Sequence, residues 1–293
     1  MCPNCRAFIT ISDRVCPYCE TNVGPRAVDL RPNAFASSFL PSANLSAMIV
    51  LAINFAFFAG SLVLSHSGTS TTVDVGQSYP PYDVGSWLFR LLLAHHRLAF
   101  LFAAPLHLQE GQWWRFISAG FLHADWIHLL MNSWSLFILV TEVEQFYGTN
   151  RLIVAYVVST FTGFMLAALI TPTNVVLGAS CAAFGLMGVM LAMGVFGDRA
   201  SPFTQLVRQH YGQWLVFGLV MSFFGNISLW GHVGGLIGGF AVGTVAGLPG
   251  HPASPRELFW KIAAIAAVAI VIICFYFDFA NISYLLKHPD ASM

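Results

Sequence analysis

An all-α, polytopic membrane fold is predicted by three observations on this 293-residue sequence: 57% of its residues are hydrophobic, 9% are charged, and long apolar runs recur from residue 45 onward. Soluble domains carry about 25% charged residues, so the charge deficit alone argues against that class. The runs are read as helices because a spanning backbone must satisfy its own hydrogen bonds. With 13 basic and 13 acidic side chains the formal net charge is zero, which excludes nucleic acid as a partner bound by bulk charge.

The first element stands apart. Four of the six cysteines lie in it, as Cys2-Pro3-Asn4-Cys5 and Cys16-Pro17-Tyr18-Cys19. Each C-x2-C hairpin aims two thiolates at one point, and two hairpins complete the tetrahedral sulfur shell of a closed structural zinc site. Two disulfides or a redox pair are the competing reading. The start of the chain has no signal-peptide pattern, and a cytosolic segment stays reduced, which favours metal. Residues 1–30 are therefore expected to form a small zinc-ribbon-like segment with a structural or partner-binding role. Residues 31–44, with Pro32 and Pro41 among Ser and Asn, read as a linker.

Seven apolar runs follow, at 45–65, 126–147, 151–171, 180–197, 213–227, 231–248 and 259–281. The fifth and sixth are shorter than the usual twenty residues, which suits helices that border a water-filled cavity. The stretch 86–107 is broken by Arg90, His95, His96, Arg97 and Pro105, so it reads as interfacial. Placing the amino terminus inside puts nine of the 13 basic residues in inside segments, among them Arg151, Arg199, Arg208 and Arg256. The expected orientation is thus a cytoplasmic amino terminus with 66–125 as an outside loop. Residues 45–248 form a six-helix core and 249–293 carry a seventh helix with the tail.

Polar groups at membrane depth are costly, so those that persist are where function is sought. His128, Asn132, Ser180 and His232 lie in or at the mouths of apolar spans, all on the outer side of that topology. Ser180 opens a helix after the turn residues Pro172 and Asn174. It reads either as a helix cap or as a nucleophile, flanked by Gly178 and Ala179 and beside free helix-start amides. A nucleophile needs a base, and His232 is the candidate. Gly231, Gly235, Gly239 and Gly243 recur every fourth residue around it, which lets a neighbouring helix come unusually close. A pure packing face with a buried histidine is the equal alternative.

The remaining element is Trp113-Trp114-Arg115-Phe116, followed by His123-Ala124-Asp125-Trp126-Ile127-His128-Leu129-Leu130-Met131-Asn132. Taken in order with Gly178-Ala179-Ser180 and the glycine-flanked His232, this resembles the rhomboid family of intramembrane serine proteases. The resemblance runs from Trp114 to Gly243. It implies Ser180 as nucleophile, His232 as general base, and His128 and Asn132 as oxyanion donors, with His123, Gly178 and Phe184 lining the site. Four-residue spacing sets His128 and Asn132 on one helix face, in keeping with that role.

The chain departs from the family pattern at Cys181, where glycine is usual, and at Phe184, where tyrosine often supports the histidine. No carboxylate in spans three to six is placed to orient His232, so a serine–histidine dyad is expected, with no cofactor for catalysis. Substrates would be transmembrane proteins in the lipid bilayer, entering past a gate formed by helix five and the 225–228 cap. The alternative left open is a catalytically inactive relative that binds transmembrane helices. A transporter lacks paired broken helices here, and a zinc metalloprotease lacks H-E-x-x-H.

Overall fold

The computed structural model describes residues 5, 15–21, 44–66, 111–171, 176–197, 200–223, 227–251 and 254–287, with the backbone only for 62–66 and 281–287. Cys2, most of the linker, the interfacial stretch 86–107 and Asn226 lie outside the described residues. The chain divides into two compact units, Met1–Leu45 and Ser46–Met293. Its helices are α1 (Leu45–His66), α2 (Arg115–Ser118) with a 3-10 turn at Ala119–Phe121, α3 (Trp126–Ile170), α4 (Ser180–Phe196), α5 (Pro202–Met221), α6 (Leu229–Ala246) and α7 (Pro255–Lys287). The class is all-α, as the apolar runs predict.

Among the described residues three helices, α3, α6 and α7, are long and apolar enough to cross a membrane. The 45 residues of α3 would reach about 68 Å if straight, twice the roughly 30 Å of a bilayer core. Gly148, at φ 77° and ψ 161°, breaks the helix where the sequence separates two spans. Asp125 caps its start, accepting a 2.7 Å hydrogen bond from the His128 amide.

The fifth run is corrected by the structure. The sequence places it at 213–227, whereas α5 begins at Pro202 and ends at Met221. Hydropathy measures apolar length, and the polar turns with Gln205, Arg208 and Gln209 have ample helix propensity to precede it. Proline at the first turn supplies the start.

Every residue of α4 from Cys181 to Met190 is buried, which marks it as the central helix. It packs against α3, α5 and α6. One flank of α6 meets it backbone to backbone: a Cβ added at Gly235 would lie 2.1 Å from the Cys181 carbonyl oxygen, and one at Gly239 would lie 1.9 Å from that of Gly185. The other flank meets α3, where a Cβ at Gly238 would lie 2.2 Å from Thr162 Oγ1. Thr162 Oγ1 also donates to the Gly234 carbonyl at 2.9 Å, a bond that dispersion-driven helix contacts in lipid lack. The glycine repeat is therefore a packing face on two sides, and it fixes where His232 stands.

Ser254 caps the start of α7, its Oγ accepting from the Glu257 amide at 3.3 Å. Glu257 receives both ends of the Arg151 guanidinium at 2.8 and 2.6 Å, and Arg151 is 2% exposed. At the far end Phe275 stacks on Phe57 at 4.4 Å and Phe277 on Trp114 at 5.1 Å. Asp278, also buried, interacts with the charge of Arg115 and lies against Ser118 and Trp114. The seventh helix is fastened to the rest of its unit near both ends.

Candidate active site

A cavity of about 590 Å³ opens among α3, α4, α5 and α6, and its walls carry His128, Asn132, Ser180, Phe184, Ser222 and His232. The four polar residues singled out from the apolar spans thus meet in one place. Each arrives by a local cause. Ser180 is the first residue of α4, but the cap position belongs to Ala179 and no side chain caps the helix. The serine hydroxyl is therefore not used as a cap, which was the plainest alternative for it.

His232 occupies the first turn of α6, whose start is capped by Ser228 through a 3.1 Å bond from the Gly231 amide. Its ring stacks on Phe184, with centroids 4.0 Å apart and planes 12° from parallel. The ring face that tyrosine would offer is kept by phenylalanine. Nδ1 of His232 lies 2.6 Å from Ser222 Oγ, at the C-cap of α5. Among the described residues this is the side-chain hydrogen bond of His232, and none joins it to Ser180. Ser222 escaped the sequence reading. It sits inside an apolar run, and its contact depends on where α5 stops.

The oxyanion candidates converge on Gly178. This residue has φ +118°, open to glycine, and a Cβ there would lie 2.5 Å from His128 Nε2 and 3.5 Å from Asn132 Nδ2. Its amide bonds to the Ala119 carbonyl at 3.0 Å, which holds the loop before Ser180 against the 3-10 turn. His128 Nδ1 accepts from the Ala124 amide at 3.4 Å, so its proton is carried by Nε2, on the Gly178 side. Asn132 Nδ2 is buried and has no hydrogen-bond partner among the described residues. Two donors therefore point at the turn that leads into Ser180, and the asparagine donor is unused.

His123 stands behind His128, edge to face at 5.1 Å, and is 1% exposed. It lies in the loop before α3, where burial pushes its imidazole down to about 3. Cys181 points away from the cavity into the seam between helices: a Cβ on Gly163 would lie 2.8 Å from its Sγ, and one on Gly231 would lie 3.1 Å away. Arg115 is 3% exposed, which fits a role in holding its loop and not a headgroup contact. Trp134 of α3 and Trp214 of α5 face each other at 6.0 Å along the cavity wall.

In the other unit, the thiols of Cys5, Cys16 and Cys19 lie within 4.8 Å of one another, with Cys5 Sγ and Cys16 Sγ 3.6 Å apart. A disulfide needs about 2.05 Å, whereas two thiolates on one tetrahedral zinc sit about 3.8 Å apart. The three cysteines suit metal better than a bridge.

Comparison with known proteins finds relatives of one family. The profile of the Rhomboid domain matches residues 110–248. Over 163 residues the chain is 34% identical to the putative rhomboid protease YdcA of Bacillus subtilis, covering 53% of this chain and 79% of that protein. It is 29% identical over 178 residues to the rhomboid protease GluP of the same organism, covering 60% of this chain and 34% of GluP. It is 28% identical over 165 residues to rhomboid-like protease 3 of Toxoplasma gondii, covering 55% and 63% respectively. The match thus spans about a third of GluP.

Proposed function

The chain belongs to the rhomboid family, a family of membrane proteins, and on that premise we propose that it is an intramembrane serine endopeptidase using a Ser180–His232 dyad. The observation that carries the reading is the meeting of Ser180, His232, His128 and Asn132 on one cavity, with the Asn132 amide donor unspent. His232 Nε2 takes the Ser180 proton as Oγ attacks a peptide carbonyl. The negative oxygen is received by His128 Nε2–H and Asn132 Nδ2–H, aided by the amides at the start of α4. The imidazolium then protonates the leaving amine, and water from the cavity hydrolyses the acyl-enzyme. Ser180 and His232 need to close to hydrogen-bond reach, a tightening common when substrate binds.

The substrate is a transmembrane segment that unwinds to expose its peptide bond, entering between α3 and α5 past Trp134 and Trp214. The proposed topology has seven crossings, a cytoplasmic amino terminus and a site opening to the extracytoplasmic side, with segments 1–30, 31–44, 45–248 and 249–293 as its parts. Cys5, Cys16 and Cys19, joined by Cys2, would hold one zinc as a structural ion outside the catalytic steps.

The test is cleavage of a reporter transmembrane substrate in liposomes by wild type, Ser180→Ala and His232→Ala. Cleavage by the wild type alone supports the dyad, and equal rates in all three end the protease reading. A wild type that binds the reporter without cleaving it would favour the inactive, helix-binding alternative, for which the lack of a Ser180–His232 hydrogen bond speaks.

A further inference from the structure

A base acting on Ser180 needs one ring nitrogen of His232 bare and the other protonated. Nδ1 faces Ser222 Oγ at 2.6 Å. Ser222 is 4% exposed and His232 5%, so bulk water does not replace that contact. The same Oγ lies 2.8 Å from the Gly218 carbonyl oxygen. A hydroxyl has one proton to give, and a carbonyl oxygen only accepts. When Ser222 donates to Gly218, its lone pair receives the Nδ1 proton and both contacts are hydrogen bonds. In the opposite tautomer the hydroxyl turns to bare Nδ1, and two lone pairs face each other at Gly218. One tautomer satisfies both contacts; the other satisfies one.

We propose that Ser222 is a positioning residue that holds His232 in the Nδ1–H form and so leaves Nε2 free to act on Ser180, an inference that rests on the dyad reading above. Phe184 stacks on the ring but has no polar atom with which to choose between the nitrogens. The choice falls to Ser222. Because Ser222 caps α5, whose Trp214 and Phe217 border the cavity, movement of that helix away from α6 carries the acceptor off with it. The tautomer of the base is thereby tied to the position of the helix that substrate must pass.

The experiment uses the full chain in detergent micelles with 15N-labelled histidine. Two-bond 15N–1H spectra at a pH where the ring is neutral show which nitrogen holds the proton, and His232→Gln assigns the signal by removing it. The wild type shows the Nδ1–H form. Ser222→Ala moves the population about fivefold toward Nε2–H and lowers kcat on the reporter substrate about fivefold with KM unchanged. Ser222→Thr keeps the oxygen and restores both. A wild-type ring protonated at Nε2, or a Ser222→Ala protein with wild-type tautomer and kcat, overturns the proposal. If the alanine variant does not fold, the wild-type spectrum decides. Wild-type cleavage by Ser180→Ala would sink the protease reading separately, and the spectrum would still decide the tautomer.

Discussion

An amide donor buried without a partner costs about 1–3 kcal/mol, and Asn132 keeps one beside the turn into Ser180. Asn132→Ala removes that cost and is therefore expected to leave the thermal midpoint unchanged or raised while lowering kcat by about 10²–10³, as measured by unfolding and steady-state cleavage side by side. His123 makes a different prediction. Its folded pKa of about 3 lies below the usual 6.5, so the folded state binds fewer protons than the unfolded one between those values. Its contribution is fully present above about pH 6.5 and is lost as pH falls toward 3, by about 1.4 kcal/mol per pH unit. Thermal midpoints taken from pH 7.5 to 5 should fall less steeply in His123→Gln than in the wild type. His128 and Asn132 were legible as a pair because four residues make one helix turn. Ser222 was not, since nothing in 213–227 marks where the helix ends and which ring its last hydroxyl meets.

At the scale of elements, Arg151 and Glu257 link α3 to α7 across 106 residues of chain. The guanidinium also donates to the Ala246 carbonyl at 3.3 Å and lies 5.4 Å from the Trp260 ring centre. Removing the carboxylate leaves a buried positive charge, whereas removing both charges does not. Glu257→Gln should lower the thermal midpoint more than the double change Arg151→Met with Glu257→Met; the reverse order would show that the pair is incidental. Nothing in the sequence marks this pair, because the two residues lie too far apart along the chain to be joined by spacing. A kink fared better: Gly148 falls in the gap between the apolar runs 126–147 and 151–171. The entry to α5 was misplaced because its first turns are polar yet helical.

For the whole molecule, composition alone fixed the class, since burying so few charges leaves lipid as the natural solvent. The sequence changes character across residues 31–44, where polar, proline-containing chain gives way to the apolar runs. What the cysteines do belongs to the chain as a whole, because they share no residue with the cavity. Purified protein should carry about one zinc per chain by elemental analysis, and Cys16→Ser should lose it while kcat on the reporter stays at the wild-type value; metal-free native protein with reactive thiols would refute the site. The glycines of α6 have one more consequence, for inheritance. Gly234, Gly235, Gly238 and Gly239 each press against backbone or a β-branched side chain of an adjoining helix, and every amino acid one nucleotide away from a glycine codon is bulkier. Almost any missense change at those four positions should therefore be purged, making them places where natural variants are scarce even though none of the four lines the cavity.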